Sequence, residues 1–423
     1  MRRPAGASLG ELLDAAGPGA LPLRRLLRRL DEGAPRDAGA LVEATGVPYR
    51  SVAAVLAALD GDVPDALLPP EPPPAPLAEV ERIVAGAPPP LRDLDHVPAT
   101  PETVLGRARW LAETYDLERS RVLFLGDHDC TGLALALVAQ PREIAVVDVD
   151  QRVLEYARSL RTRFADLRVG LPESAERRYD IVFTDPPYTP AGVGLFCARA
   201  VEALRDPHTG RIVLAYGFPE SQPALGLKVQ RELAALELVT EAQLPGFNRY
   251  AGAQAIGARA DLYALRPTKR SPRLAARRAD AHSRALYTHG RQAVEAGGTP
   301  GRVLADDHEL TLRELIRGER RPDARRLTVD LRPFHGRCLL QACLAAWTPE
   351  LEVTVDNDTE GVRNAAEQAR LRRALAPVYA IEAIERSHAG TRDTVLRLAR
   401  QPEVPREYAR ERVIDLPLHL LAS

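Results

Sequence analysis

Two short loops concentrate the residues able to do chemistry. One reads Gly126-Asp127-His128-Asp129 and follows the apolar run Arg121-Val-Leu-Phe-Leu; the other, Asp185-Pro186-Pro187-Tyr188, follows Asp180-Ile-Val-Phe-Thr. A loop that grips a phosphate or carboxylate usually shows several glycines, because backbone amides must approach the anion closely. Asp127 and Asp129 stand there instead, and carboxylates repel a carboxylate-bearing tail while attracting ammonium groups. The predicted ligand therefore carries an amine tail. A plainer reading is that Asp129 caps the next helix, but that leaves Asp127 and His128 without a role.

The second loop fits amine capture. Asp185 and a carbonyl freed by Pro186 and Pro187 can accept hydrogen bonds from an amine, and the Tyr188 ring can cover it. An amine with a solution pKa of roughly 10 must lose a proton before it attacks a sulfonium carbon, and a carboxylate or imidazole can take that proton. Asp148 ends the run Glu143-Ile-Ala-Val-Val-Asp, 22 residues after Gly126. That is close to the ~20-residue spacing at which an acid accepts hydrogen bonds from ribose hydroxyls. Asp150 then reads as a helix cap. The chemistry implied is transfer of a carbon group from an adenosyl sulfonium to an amine nitrogen.

These loops need a scaffold that presents them on one edge. Apolar strands at 121–125, 143–148, 180–184, 210–216 and 261–265 alternate with helical patterns at 131–138 and 152–164, which predicts a mostly parallel, doubly wound α/β sheet covered on both faces. Ligands bind beyond the C-terminal strand ends of such a sheet, where strand order reverses. Upstream, helices are expected over 76–85 and 101–115, with Thr100 as N-cap and an apolar face from Thr103 to Trp110.

The flanks differ from this core. Residues 8–60 read as short helices, and Asp37 to Leu59 has helix-turn-helix rhythm, with Gly46 at the turn and Pro48 opening the next helix. Arg50 is the one basic residue on the second helix, and DNA binding needs several phosphate contacts. The stretch Leu68-Pro-Pro-Glu-Pro-Pro-Pro-Ala-Pro reads as a semi-rigid linker. Beyond 268 an Arg-rich connector leads to a third region, with strands at 327–331 and 351–355 and near Val378, and helices at 336–347, 360–375 and 391–400. The expected division is a helical module at 1–68, linker at 69–76, catalytic domain at 77–267, connector at 268–325 and an accessory α+β domain at 326–423. No catalytic motif stands out in the last.

Composition bounds the partners. The chain has 423 residues, 45% hydrophobic and 27% charged, which fits several globular domains rather than a disordered or fibrous chain. Lys and Arg number 57 against 58 Asp and Glu, a net charge of −1, so bulk charge does not favour nucleic acid. Cys130, Cys197, Cys338 and Cys343 form no C-x-x-C pair and read as buried reduced thiols. With no apolar segment after the N-terminal Arg-Arg and no run of about 18 apolar residues, the expected location is the cytoplasm, with no membrane partner and no metal. Homo-oligomerisation is left open.

Gly126-Asp127-His128-Asp129, the downstream Asp185-Pro-Pro-Tyr-Thr, the preceding Asp95-His-Val-Pro-Ala-Thr-Pro-Glu-Thr and the later Phe247-Asn-Arg-Tyr together resemble the branched-chain polyamine synthases, the N4-bis(aminopropyl)spermidine synthases. The resemblance covers about residues 93–267, with a weaker likeness of the N-terminal helices to that family's winged-helix-like domain. It implies a Rossmann-like, class I methyltransferase-type fold and aminopropyl transfer from decarboxylated S-adenosylmethionine to a polyamine-like amine, releasing methylthioadenosine. It also implies catalytic roles for Asp127, His128, Asp129 and Asp185, donor binding by Gly126 and Asp148, and acceptor binding by Pro186, Pro187, Tyr188, Asn248 and Tyr250. One position departs from the family: His128 stands where its first motif carries an acid, which removes a negative charge from a site for polycations. Two alternatives remain at this point. One is an S-adenosylmethionine-dependent N-methyltransferase, since Asp-Pro-Pro-Tyr also marks amino-group methylation; the other is a non-catalytic binding protein.

Overall fold

Leucine spacing builds the N-terminal helices of the computed structural model, which describes residues 7–69, 76–252, 258–281, 286–288, 303–305, 308–318, 324–332, 334, 337–386, 392–402 and 405. Helices α1 (Leu9–Ala16), α2 (Leu21–Asp31), α3 (Ala38–Thr45) and α4 (Tyr49–Ala58) turn Leu12, Leu13, Leu26, Leu27, Val52 and Val55 into one core. Helices α3 and α4 meet at the expected turn: the Asp37 side chain accepts from the Ala40 amide at 2.7 Å, and Gly46 ends α3 with φ at 68°. No strand occurs among residues 7–69, so only the helical part of a winged helix is seen. Arg24, buried on α2, reaches Asp116 at 2.6 Å and ties this module to the next.

There, α5 (Leu77–Gly86) and α6 (Pro101–Thr114) precede β1 (Arg121–Leu125), α7 (Thr131–Val138), β2 (Glu143–Asp148), α8 (Gln151–Tyr156), β3 (Arg161–Phe164), β4 (Ile181–Thr184), α9 (Pro190–Ala203), β5 (Arg211–Tyr216), α10 (Pro223–Ala235), β6 (Leu238–Arg249), β7 (Arg259–Pro267) and α11 (Ser271–Ala281). The sheet runs β3-β2-β1-β4-β5-β7-β6. β1 to β5 are parallel, and β7 is antiparallel to both neighbours. Leu123, Val146, Val182 and Val213 are wholly buried, each stabilising the fold by roughly 1.5–3 kcal/mol relative to exposure. Strand order reverses between β1 and β4, so the loops after Leu125 and Thr184 sit side by side at the switch point.

A second sheet follows: β8 (Val303–Ala305), β9 (His308–Leu310), α12 (Leu312–Arg317), β10 (Arg326–Asp330), α13 (Arg337–Ala346), β11 (Glu350–Asp356), α14 (Ala365–Leu375), β12 (Tyr379–Arg386) and β13 (Asp393–Arg400), in the order β12-β13-β11-β10-β8-β9. β10 and β11 are parallel across α13; the remaining pairs are antiparallel.

Several expectations need correction. The helix expected over 152–164 stops at Tyr156, and Arg161–Phe164 is the edge strand β3. The helix expected over 391–400 is β13, in which Thr394, Leu396 and Leu398 are buried on alternate positions, a strand period. The helix expected from 360 begins at Ala365. The span 268–325 is more than a connector: α11 packs on α9, and β8, β9 and α12 belong to the second sheet.

Candidate active site

The Gly126 turn exists because the chain must leave β1 sharply. Gly126 has φ at 72°, a conformation open to glycine at little cost, while its amide bonds the Val147 carbonyl of β2 at 2.9 Å. Asp127 comes next, buried. Its Oδ2 accepts from the Gly132 amide at 2.9 Å, so Asp127, rather than Asp129, caps α7. Burial pushes its carboxyl well above the ordinary range, and Asp129 and Asp148 add to the rise. The Asp127 amide donates to Asp148 Oδ2 at 3.0 Å, and Asp148 Oδ1 accepts from the Asp150 amide at 2.8 Å. Asp150 caps α8 as expected. Burial raises Asp148 as well, partly offset by those two amides.

Asp129 turns away from α7. Its Oδ1 accepts from the Ala99 amide at 2.7 Å and lies 3.3 Å from His128 Nε2, while Oδ2 receives Arg107 Nη1 at 2.9 Å. Arg107 is the residue that sequence reasoning missed. It sits on the buried face of α6, fully enclosed, with Nε on Asn248 Oδ1 at 2.8 Å and Nη2 on Asp185 Oδ2 at 2.7 Å and Tyr250 Oη at 3.0 Å. Burial alone would lower the pKa of its guanidinium; Tyr250, Asp185 and Asp129 more than reverse that. A single arginine thus gathers the first loop, the second loop and β6 into one network. The available signal was an arginine inside the apolar stripe from Thr103 to Trp110.

Asp185 Oδ2 also accepts from Tyr250 Oη at 2.8 Å, leaving Oδ1 with no partner among the described residues. Burial raises its carboxyl, Arg107 pulls it back, and the balance stays above the ordinary 3.8. Tyr188 Oη meets Tyr250 Oη at 2.7 Å, and burial lifts both phenols well above 10. The Pro187 carbonyl accepts from the Thr189 amide at 2.8 Å, while the Pro186 carbonyl takes no bond from the described residues. Gly192 keeps this turn tight: a Cβ there would lie 2.5 Å from the Pro187 carbonyl oxygen.

Between these loops opens a cleft that is partly open to solvent. Gly126, His128, Asp148, Asp185 and Pro187 line it. Asp127, Asp129, Pro186, Tyr188, Asn248 and Tyr250 do not; they form the layer behind the wall. Asn248 is wholly buried, and its Nδ2 donates to the Ala260 and Asp261 carbonyls, which fixes β6 on β7. The expectation that Asp127 and Asp129 present bare charge to a ligand is therefore corrected: one caps a helix and the other is paired to Arg107. The pocket is acidic for another reason. Asp95, Asp148, Asp166 and Asp185 line it, and among the described residues no Lys or Arg does.

Asp166 and Tyr287 are additions the sequence reading did not make, and Asp95 and His96, noted there within a segment that carries the resemblance, had no site role assigned. His96 stacks on His128, ring centroids 4.3 Å apart and 4° from parallel. His128 Nε2 lies 3.2 Å from the Val97 carbonyl. A carbonyl only accepts, so in the neutral ring Nε2 carries the hydrogen and Nδ1 the lone pair. Tyr287 arrives on a segment held at both sides: Thr189 Oγ1 donates to the Leu286 carbonyl, and Thr288 donates twice to Asp95, all at 2.7 Å. Among the described residues no three His, Cys, Asp or Glu side chains gather as metal ligands, and no helix is long and apolar enough to cross a membrane.

Residues 77–294 match the family model described as the branched-chain polyamine synthase A C-terminal domain. An uncharacterised protein of Methanocaldococcus jannaschii is 38% identical over 172 residues, 38% of this chain and 43% of that one. The N(4)-bis(aminopropyl)spermidine synthase of Thermococcus kodakarensis is 32% identical over 140 residues, 31% of this chain and 40% of the enzyme; that of Thermus thermophilus is 36% identical over 135, covering 29% and 39%. The matches thus span 39–43% of the length of these relatives. A crystal structure of the Thermus thermophilus branched-chain polyamine synthase C9 mutein, in complex with N4-aminopropylspermidine and 5'-methylthioadenosine, is 26% identical. It covers 61% of this chain and 90% of that one, with a TM-score of 0.39.

Proposed function

Because this chain belongs to the branched-chain polyamine synthase family, we propose that it is an aminopropyltransferase, moving the aminopropyl group of decarboxylated S-adenosylmethionine onto an amine of a polyamine-like acceptor. The observation that carries the reading is the charge of the wall: four carboxylates line the pocket and, among the described residues, no Lys or Arg does. A sulfonium donor whose tail ends in an ammonium, and a cationic acceptor, both suit such a wall, whereas a tail carboxylate would be repelled.

Each residue then has a part. Asp148, held by two backbone amides, accepts from ribose hydroxyls with its remaining lone pairs. The unpartnered Oδ1 of Asp185, beside Pro187 at the pocket wall, holds the acceptor amine, with Arg107 and Tyr250 fixing the Asp185 carboxylate from behind. His128 Nδ1 accepts the proton that the amine gives up, and Asp129, 3.3 Å from Nε2, steadies the imidazolium that forms. The amine nitrogen forms a bond to the carbon next to sulfur. As the C–S bond breaks, its electron pair returns to sulfur, and methylthioadenosine leaves as a neutral thioether. Asp129 acts as a positioning residue, while Asp127 serves the fold by capping α7; Tyr188 and Asn248 hold Tyr250 and Arg107 in place.

Calorimetry separates this from N-methyl transfer. Decarboxylated S-adenosylmethionine should bind at least ~10-fold tighter than S-adenosylmethionine, and Asp148→Asn should weaken it. Equal or reversed affinity for the two sulfonium compounds would favour the methyltransferase reading.

A further inference from the structure

The domain beyond residue 294 lies outside the family match, yet it packs directly behind the pocket wall. After β3, Ala165, Asp166 and Leu167 line the pocket. Arg168 grips Asp166 from behind: its Nε donates to Oδ1 at 2.9 Å, its Nη2 to Oδ2, and its amide to Oδ1 at 3.0 Å, with both side chains buried. Burial would lower the Arg168 pKa, and Asp166 raises it past the ordinary value. The guanidinium's carbon lies 4.9 Å from the ring centroid of Phe334, just beyond β10. Val169, the next residue along, is part of the core of the second sheet, beside Val329, Leu331 and Leu339. Two polar contacts flank this joint, Arg317 on Glu176 and Gln151 Nε2 on Glu360 at 3.1 Å.

We propose that the C-terminal domain completes the nucleoside end of the pocket, with Phe334 as a positioning residue that holds Arg168 and, through it, the Asp166 carboxylate. The inference rests on the reading that an adenosyl group occupies this pocket. The guanidinium fixes the orientation of the Asp166 carboxylate at the pocket wall, where it accepts from an exocyclic amino group or a hydroxyl of the nucleoside. The ring fixes the plane of the guanidinium, and the fork fixes the carboxylate. The four-residue edge strand β3 offers little rigidity by itself, so the loop after it depends on packing from the second sheet.

Methylthioadenosine needs no reaction to be measured, so its binding to the full chain tests this directly. Phe334→Ala should weaken methylthioadenosine by about tenfold, the upper part of the range for a desolvated cation–ring contact, and leave spermidine binding unchanged. Phe334→Trp, which restores an aromatic face, should recover most of the loss. Should Phe334→Ala fail to fold, Phe334→Leu keeps the apolar volume without the ring face and should show the same selective loss. Wild-type affinity in a folded variant, or parallel losses for both ligands, overturns the role given to the C-terminal domain alone. A wild-type chain that binds no methylthioadenosine removes the aminopropyltransferase reading as well.

Discussion

Replacing Arg107 by Met should unsettle both the fold and the site, in a pH-dependent way. The guanidinium is fully buried and serves Asp129, Asp185, Asn248 and Tyr250 at once. Met fills similar volume but leaves two buried carboxylates without a counter-charge. Removing one member of a buried pair costs about 3–5 kcal/mol, and with two acids orphaned the upper part of that range is expected at pH 8. The sign of the pH effect follows from Asp185. Burial already holds its carboxyl above 3.8 against the pull of Arg107, so loss of the arginine lifts it further in the folded state only. A raised folded-state pKa means stability is lost as pH climbs through it and regained below, at up to about 1.4 kcal/mol per pH unit. Asp127 and Asp148 are raised in both proteins and cancel. Urea unfolding of wild type and variant at pH 8 and pH 5 should therefore show a deficit that narrows at the lower pH. A deficit below about 1 kcal/mol, or one equal at both pH values, would refute the assignment of Arg107 as the central tie.

Four further outcomes are expected. Asp185→Asn should cut kcat about 100-fold or more while leaving methylthioadenosine affinity within about twofold, read by single-turnover kinetics and calorimetry. Because burial raises both Asp148 and Asp185, the acid limb of kcat/KM should fall above pH 3.8, the binding carboxylates being lost on protonation; a pH–rate profile flat down to pH 4 would contradict this. Asp127→Ala should cost about 0.5–2 kcal/mol through the lost α7 cap, measured by denaturation, with the pocket wall intact and kcat within about threefold. Gly192→Ala places a Cβ 2.5 Å from the Pro187 carbonyl oxygen, so the Asp-Pro-Pro-Tyr turn must shift; acceptor KM should rise more than donor KM.

The central sheet was legible because its inner strands are unbroken apolar runs such as Val122 to Leu125, buried on both faces. Elements at the rim were not. Arg161–Phe164 is short and mostly polar, and it follows a helical pattern closely enough to be absorbed into it. Asp393–Arg400 is written in helix-forming Leu, Ala and Arg, so only its period-two burial gives the strand away. β6 carries Pro245 and Gly246 and is mostly solvent-facing, with register shifts against β7, which hides the alternation that would mark it. For the site, strand-end position identified Gly126, Asp148, Asp185 and His128, since topology alone delivers those residues to the switch point. Asp127 and Asp129 were placed in the right loop with the wrong exposure. Which way a loop carboxylate faces depends on long-range partners, here Gly132 and Arg107. His96, Asp166 and Tyr287 reach the pocket from 30 residues before the first loop to 160 after it, and no local pattern connects them.

Product identity tests the acidic wall most directly. The full chain, incubated with decarboxylated S-adenosylmethionine and a panel of di- and polyamines, should yield methylthioadenosine together with an amine heavier by one aminopropyl group, both detected by mass spectrometry. Adenosylhomocysteine and a methylated amine from S-adenosylmethionine, with no methylthioadenosine from the decarboxylated donor, would show that a carboxylate tail is welcome beside Asp148 and Asp185 and that the pocket was misread.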